Sequence, residues 1–170
     1  MIQQISKLYD LLIRSANSLQ SPFLLFVRVY WGWQFWQTGW GKLQDISKPI
    51  EFFTSLGIPF PVFNAWFVAL LEAFGGILLI VGLASRLIAI PFVIDMLVAY
   101  ITADREAFKS FVSEPDKFMA AAPFTFLFAS LVILIFGPGS VSVDCLISRF
   151  VEKRKGPLPI AAKASPSERL

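Results

Sequence analysis

The chain has 170 residues, 56% of them hydrophobic and 16% charged, which is the length of one domain carrying more apolar surface than one soluble core can hide. Its formal charge of +3 is too small for a nucleic-acid ligand, and its basic residues gather toward the C-terminus without interleaved aromatics. There is no histidine and one cysteine, Cys145, which excludes imidazole-ligated haem, His-rich metal sites and intrachain dithiol chemistry.

A spanning helix needs about 20 apolar residues at about 1.5 Å rise each. Four such runs are visible, at about 22–41, 62–82, 87–103 and 119–136. The expected fold is therefore all-α: an integral membrane four-helix bundle, residues 21–147. Ahead of it, residues 1–20 place Ile5, Leu8, Tyr9, Leu12 and Leu19 at helical spacing among Lys7, Asp10 and Arg14. That segment reads as an amphipathic helix in the membrane interface. It lacks the layout of a cleavable secretory signal, so the first span is expected to serve as an uncleaved insertion signal. Residues 148–170 form a basic tail rich in Pro, Ala and Ser that reads as disordered.

Ser21 followed by Pro22 reads as an N-cap opening span one. At about 100° per residue, Arg28, Trp31, Gly32, Phe35, Gly39 and Lys42 fall on one side of that span, with Trp33, Trp36 and Trp40 opposite. The side bearing Arg28 and the glycines is expected to face inward, since small residues let lipid-embedded helices approach closely. A loop from Lys42 to Pro61 follows, with a short surface helix expected over Ile50–Leu56. In span two, Ala65, Ala69, Glu72, Gly75, Gly76 and Leu79 share a face. The short turn Gly82–Arg86 makes spans two and three antiparallel neighbours. Span three holds Asp95 near its centre and Pro91 one turn earlier, where a kink is expected. Its inward side reads as Ile88, Pro91, Asp95, Val98, Ala99 and Thr102. After a mixed-charge segment, Asp104–Lys117, span four ends at Gly137-Pro138-Gly139.

Lys and Arg at the N-terminus, in the second loop and in the tail outnumber those in the first and third loops. The positive-inside rule then places both termini in the cytoplasm of a multi-pass protein. Depth arithmetic puts Arg28, Glu72 and Asp95 in the middle third, and Arg28 is expected to pair with Glu72 or Asp95. Lys42 is the alternative neutraliser if its stem snorkels inward. One base against two acids leaves a carboxyl that needs a proton, with Asp95 the first choice. Arg86 and Asp144 are expected to pair at the cytoplasmic ends. The bland reading of the buried charges is that they fix helix register. The sharp one is a ligand or proton site lined by Trp31, Phe35 and Phe92.

Taken together, several motifs resemble the DoxX family: Arg28 with Gly39-Trp40-Gly41-Lys42, Gly57-Ile58-Pro59-Phe60-Pro61 before span two, Glu72 with Gly75-Gly76, Gly82-Leu83 followed by Ser85-Arg86, and Gly137-Pro138-Gly139 leading to Ser142 and Asp144. The similarity runs from about Phe23 to Asp144. It implies a bacterial or archaeal cytoplasmic-membrane protein, at most a subunit of an oxidoreductase or oxidative-stress complex, with quinone as its cofactor and no metal or haem. On that implication Arg28, Trp31, Phe35 and Lys42 bind the quinone and Glu72 and Asp95 are the catalytic proton donors. The implied partners are the lipid bilayer and a redox protein or further copies of the chain, with no nucleic acid. The lone Cys145 departs from relatives that exchange disulfides. Two other functional classes compete with this one: a non-catalytic membrane scaffold, and a small-solute or proton transporter. The transporter class ranks last because span four offers only Thr125 and Ser130 to a polar path.

Overall fold

The computed structural model describes residues 2–155. All regular structure among them is helical: α1 (Ile2–Gln44), α2 (Ser47–Ser55), α3 (Pro61–Val81), α4 (Ser85–Thr102), α5 (Arg105–Lys109), α6 (Pro115–Ala120), α7 (Ala122–Phe136) and α8 (Val143–Lys155). Two of these, α3 and α4, are long and apolar enough to cross a membrane. Their outer faces carry Phe63, Trp66, Phe67, Leu70, Phe74 and Ile77 on α3, and Leu87, Ile90, Ile94, Leu97 and Ile101 on α4, all exposed. An uncovered apolar belt of that extent is stable against lipid and not against water. The chain is a helical membrane protein.

The tightest packing is α1 against α3. Gly32 and Gly76 face each other so closely that a Cβ on Gly32 would stand 2.8 Å from Gly76 O, and one on Gly76 would stand 2.6 Å from Trp36 N. Further along, Gly39 lies against the backbone of Ala69, Glu72 and Ala73. As the α1 position rises from 32 to 39, its α3 neighbour falls from about 76 to about 71, so the helices run antiparallel. The face expected on α3 is the buried one, with Ala73 added to it. On α1, Arg28, Gly32, Phe35 and Gly39 are buried while Trp33 and Trp40 are exposed.

On the other side, α4 packs on α7 and α3, and α7 also touches α1. The buried face of α4 is Ser85, Ala89, Phe92, Met96 and Tyr100, rotated from the face the sequence suggests. The aromatic residues decide this rotation. Phe92 stacks on Phe35 with centroids 3.8 Å apart, and Tyr100 stacks on Phe118 while donating its hydroxyl to Phe118 O at 2.8 Å. Asp95, Val98, Ala99 and Thr102 then turn toward α2.

Several expected boundaries move. α1 runs unbroken through Pro22, and Ser21 does not cap it. The Ser21 hydroxyl accepts from Ser140 N at 3.0 Å and shares a hydrogen bond with the Ser140 hydroxyl, tying the chain after α7 to the side of α1. The fourth apolar run starts at Ala122 and not at 119, because Ala121 is extended and Pro123 sits in the first turn. The segment 104–117 holds α5 and the start of α6, two short pieces. The first part of the expected disordered tail, 148–155, is helical within α8. The remainder lies outside the described residues.

Candidate functional site

α2 packs on α3 and faces the N-terminal half of that helix and the C-terminal half of α4 across a shared cavity. Its Phe52, Phe53 and Leu56, with Ile58 and Pro59 beyond it, roof a cavity of about 430 Å³. The walls come from Asn64, Phe67 and Val68 of α3 and from Pro91, Ile94, Asp95, Val98, Ala99 and Thr102 of α4. Nearly all of this lining is apolar. Asp95 supplies the one carboxyl, and its Oδ2 is buried with no hydrogen-bond partner. An unpaired buried polar atom is costly; Arg28 Nε, Ser85 Oγ and Ser130 Oγ are unpaired too, but only the Asp95 oxygen belongs to a residue lining this cavity. The roof is built on unusual backbone: Gly57 has φ 69° and Phe60, a non-glycine residue, has φ 49°. Asn64 steadies that turn by donating to Pro59 O at 2.6 Å.

Beside the cavity stands an ion pair. Lys42 Nζ lies 2.6 Å from Glu72 Oε2; the Lys42 side chain is 32% exposed and the Glu72 side chain 4%. The α1/α3 register puts Lys42 level with about residue 68. Its stem therefore reaches inward by about four residues, or about 6 Å, to meet Glu72. A Cβ on Gly75 would stand 2.8 Å from the Phe92 ring. Three residues back along α3 and three forward along the antiparallel α4, Glu72 and Asp95 come to the same depth. Asp95 lies within electrostatic range of both Glu72 and Lys42.

Arg28 is not part of this group, and the expected Arg28–carboxylate pair does not form. Its guanidinium donates to Pro138 O at 2.5 Å, Val141 O at 2.8 Å and Ile80 O at 3.5 Å. Arg28 stands beside Gly82, where any Cβ would meet the guanidinium carbon at 2.6 Å. Gly82 is ten residues from Glu72, about 15 Å along the helix, so Arg28 sits at the end of α3 and not at mid-depth. The carbonyls it binds belong to the C-terminus of α3 and the sharp stop after α7. Such carbonyls lack helical partners and carry the negative end of the helix dipole.

The other expected residues divide in the same way. Lys42, the alternative neutraliser, is the one that pairs with Glu72. Trp31 and Phe35 pack in the core, edge-on to Phe126, with Phe35 fully buried against Phe92. Neither lines the α2 cavity. The expected Arg86–Asp144 pair is replaced by backbone contacts. Asp144 accepts from Ala84 N at 2.7 Å and Ser85 N at 2.9 Å, and Arg86 donates to Ile135 O at 3.3 Å. Phe52, Phe53, Leu56, Asn64 and Phe67 line the cavity and are residues that sequence reasoning passes over. The signal for the first three was the i, i+1, i+4 apolar edge of the short helix after Lys42.

The family model described as DoxX matches residues 23–105. A protein of Bacillus subtilis (strain 168) named "Putative oxidoreductase CatD" is 31% identical over 134 residues, an alignment covering 78% of this chain and 90% of the relative. No solved structure matches the chain.

Proposed function

Since the chain belongs to the DoxX family of membrane proteins, we propose that it is a multi-pass membrane subunit of an oxidoreductase system, with both termini cytoplasmic, that seats the head group of a lipid-soluble quinone in the cavity under α2. The observation that carries this reading is the cavity itself, an apolar, aromatic-roofed space of about 430 Å³ with one unpartnered carboxyl oxygen in its wall. That size lies within the about 300–1,000 Å³ range of small-molecule sites. A flat, neutral ring with hydrogen-bonding oxygens suits such a lining. The name of the Bacillus relative supports the redox class.

A bound quinone would supply the electron-carrying chemistry that a chain without histidine and with one cysteine lacks, the electrons coming from a partner dehydrogenase. The chain's own residues bind and orient. Phe52, Phe53 and Phe67 hold a ring by apolar contact. Asp95 holds a proton at its carboxyl, where it donates to a ring oxygen or, once ionised, accepts. The proposal gives Arg28 no contact with the quinone, because its terminal nitrogens are held by carbonyls at the end of α3, about 15 Å from Glu72.

The test is extraction and mass spectrometry of lipid-soluble ligands from the purified protein, followed by binding of a short-chain quinone to protein in nanodiscs. Ala99→Phe, which fills the cavity, and Asp95→Asn are expected to weaken binding at least tenfold, while the exposed Thr125→Val leaves it unchanged. Absence of quinone from the extract, together with equal binding by all three variants and the unaltered protein, would refute the reading.

A further inference from the structure

Lys42 and Glu72 lead from the surface into the interior, and Asp95, partly buried, lies beyond Glu72 in the cavity wall. Lys42 begins at the last turn of α1 with its side chain 32% exposed, Glu72 beneath it is 4% exposed, and Asp95 faces the cavity at the same depth. The elements packed around Asp95 add no other buried charge. On α2, Lys48 and Glu51 are exposed and Lys48 pairs with Asp45; α7 carries no ionisable residue. With Lys42 and Glu72 balancing each other, the group lacks one positive charge if Asp95 is ionised, and a low-dielectric interior resists that imbalance.

We propose that these three residues are a proton path, entered from the aqueous face at Lys42 and ending at Asp95 in the cavity wall. Asp95 gives the proton of its carboxyl O–H to an acceptor oxygen in the cavity and becomes a carboxylate. Across the existing 2.6 Å hydrogen bond the Lys42 ammonium gives a proton to Glu72; an N–H bond breaks and an O–H bond forms. Glu72 and Asp95 share no hydrogen bond, so Glu72 passes that proton over the α3–α4 interface to Asp95 by way of an intervening water and returns to the carboxylate. The neutral Lys42 amine takes a proton from water at the surface, restoring the starting charges. No electron moves in any of these steps. Delivery into the cavity rests on that cavity being the working site; exchange along the path does not require a quinone.

Infrared spectroscopy of the full chain in nanodiscs, without quinone, tests this. The unaltered protein is expected to show a protonated-carboxyl C=O band that Asp95→Asn removes and that shifts on exchange into D2O. Lys42→Met is expected to keep a protonated-carboxyl band but to slow its exchange at least tenfold. The double variant Lys42→Met/Glu72→Gln, which leaves no unpaired charge, is expected to fold and to show the same slowing. The path is overturned if the band is absent from the unaltered protein, if Asp95→Asn leaves it intact, or if exchange in the double variant is as fast as in the unaltered protein. Failure of quinone binding alone, with exchange behaving as described, counts against the quinone and not against the path.

Discussion

Lys42 and Glu72 meet across the α1–α3 interface with Nζ and Oε2 2.6 Å apart, the lysine reaching down from the end of its helix to a glutamate that no solvent covers. Removing the lysine strands a buried carboxylate, whereas removing both charges leaves an uncharged contact.

The two changes should therefore not add. Lys42→Met alone is expected to lower the thermal midpoint in detergent. Adding Glu72→Gln should recover part of the loss, with a coupling of about 0.5–3 kcal/mol. The partial exposure of Lys42 argues for the lower half of that range. Additive losses in a double-mutant cycle would show that the pair contributes nothing.

Glycine substitutions on α1 should separate sharply by position. Gly39 lies on the α3 backbone, and Gly41 has nothing within 4 Å of the position its Cβ would take. Gly39→Leu is expected to cost about 3 kcal/mol or more by forcing the helices apart. Gly41→Ala should gain about 0.5–1 kcal/mol, as alanine does in a helix interior. Thermal unfolding of the two variants side by side is the measurement, and equal effects would contradict the packing described.

For Arg28, the fork geometry matters as well as the charge. Arg28→Lys cannot serve Pro138, Val141 and Ile80 together. A loss of about 1.5–3 kcal/mol is expected, the scale of one hydrogen bond to a charged group. Short-chain quinone binding well below the unfolding midpoint should be unchanged. A variant that folds normally but loses quinone would return Arg28 to the ligand site.

The faces of α1 and α3 were legible because both rest on one signal, small residues at helical spacing around an ionisable group, and lipid-facing helices have few other means of close approach. The depth of Arg28 was not legible. Counting depth from Ser21-Pro22 as a helix start places it too deep, because a single proline interior to a 43-residue helix is tolerated and Ser21 has a tertiary partner in Ser140. The α2 cavity was hidden for a related reason. It depends on the rotation of α4, which Phe92 and Tyr100 set by stacking on Phe35 and Phe118, and stacking partners 57 and 18 residues away leave no mark in a periodicity (92 against 35, 118 against 100).

Asp144 offers a local test of the junction between α3 and α4. It accepts from the amides of Ala84 and Ser85, where the turn passes through Ala84 at φ 51°. Asp144→Ala should cost about 2 kcal/mol and speed tryptic cleavage after the exposed Arg86. Asp144→Asn, which keeps one acceptor, should fall between the two. Cleavage at an unchanged rate in Asp144→Ala would mean that the turn holds itself.

The three carbonyls around Arg28 also order events in time. Two of them, on Pro138 and Val141, lie 110 and 113 residues after the arginine. At about 5–20 residues per second, synthesis reaches them roughly 5–22 s after Arg28 has been made. For the first 52 residues of that interval none of its final acceptors exists, and after that only Ile80 O does, so water must serve the rest of its donors. The N-terminal helix thus cannot take its final seat until the chain beyond α7 has arrived. A ribosome stalled before residue 138 would hold a chain whose first charged residue in the apolar run is still waiting for its lock.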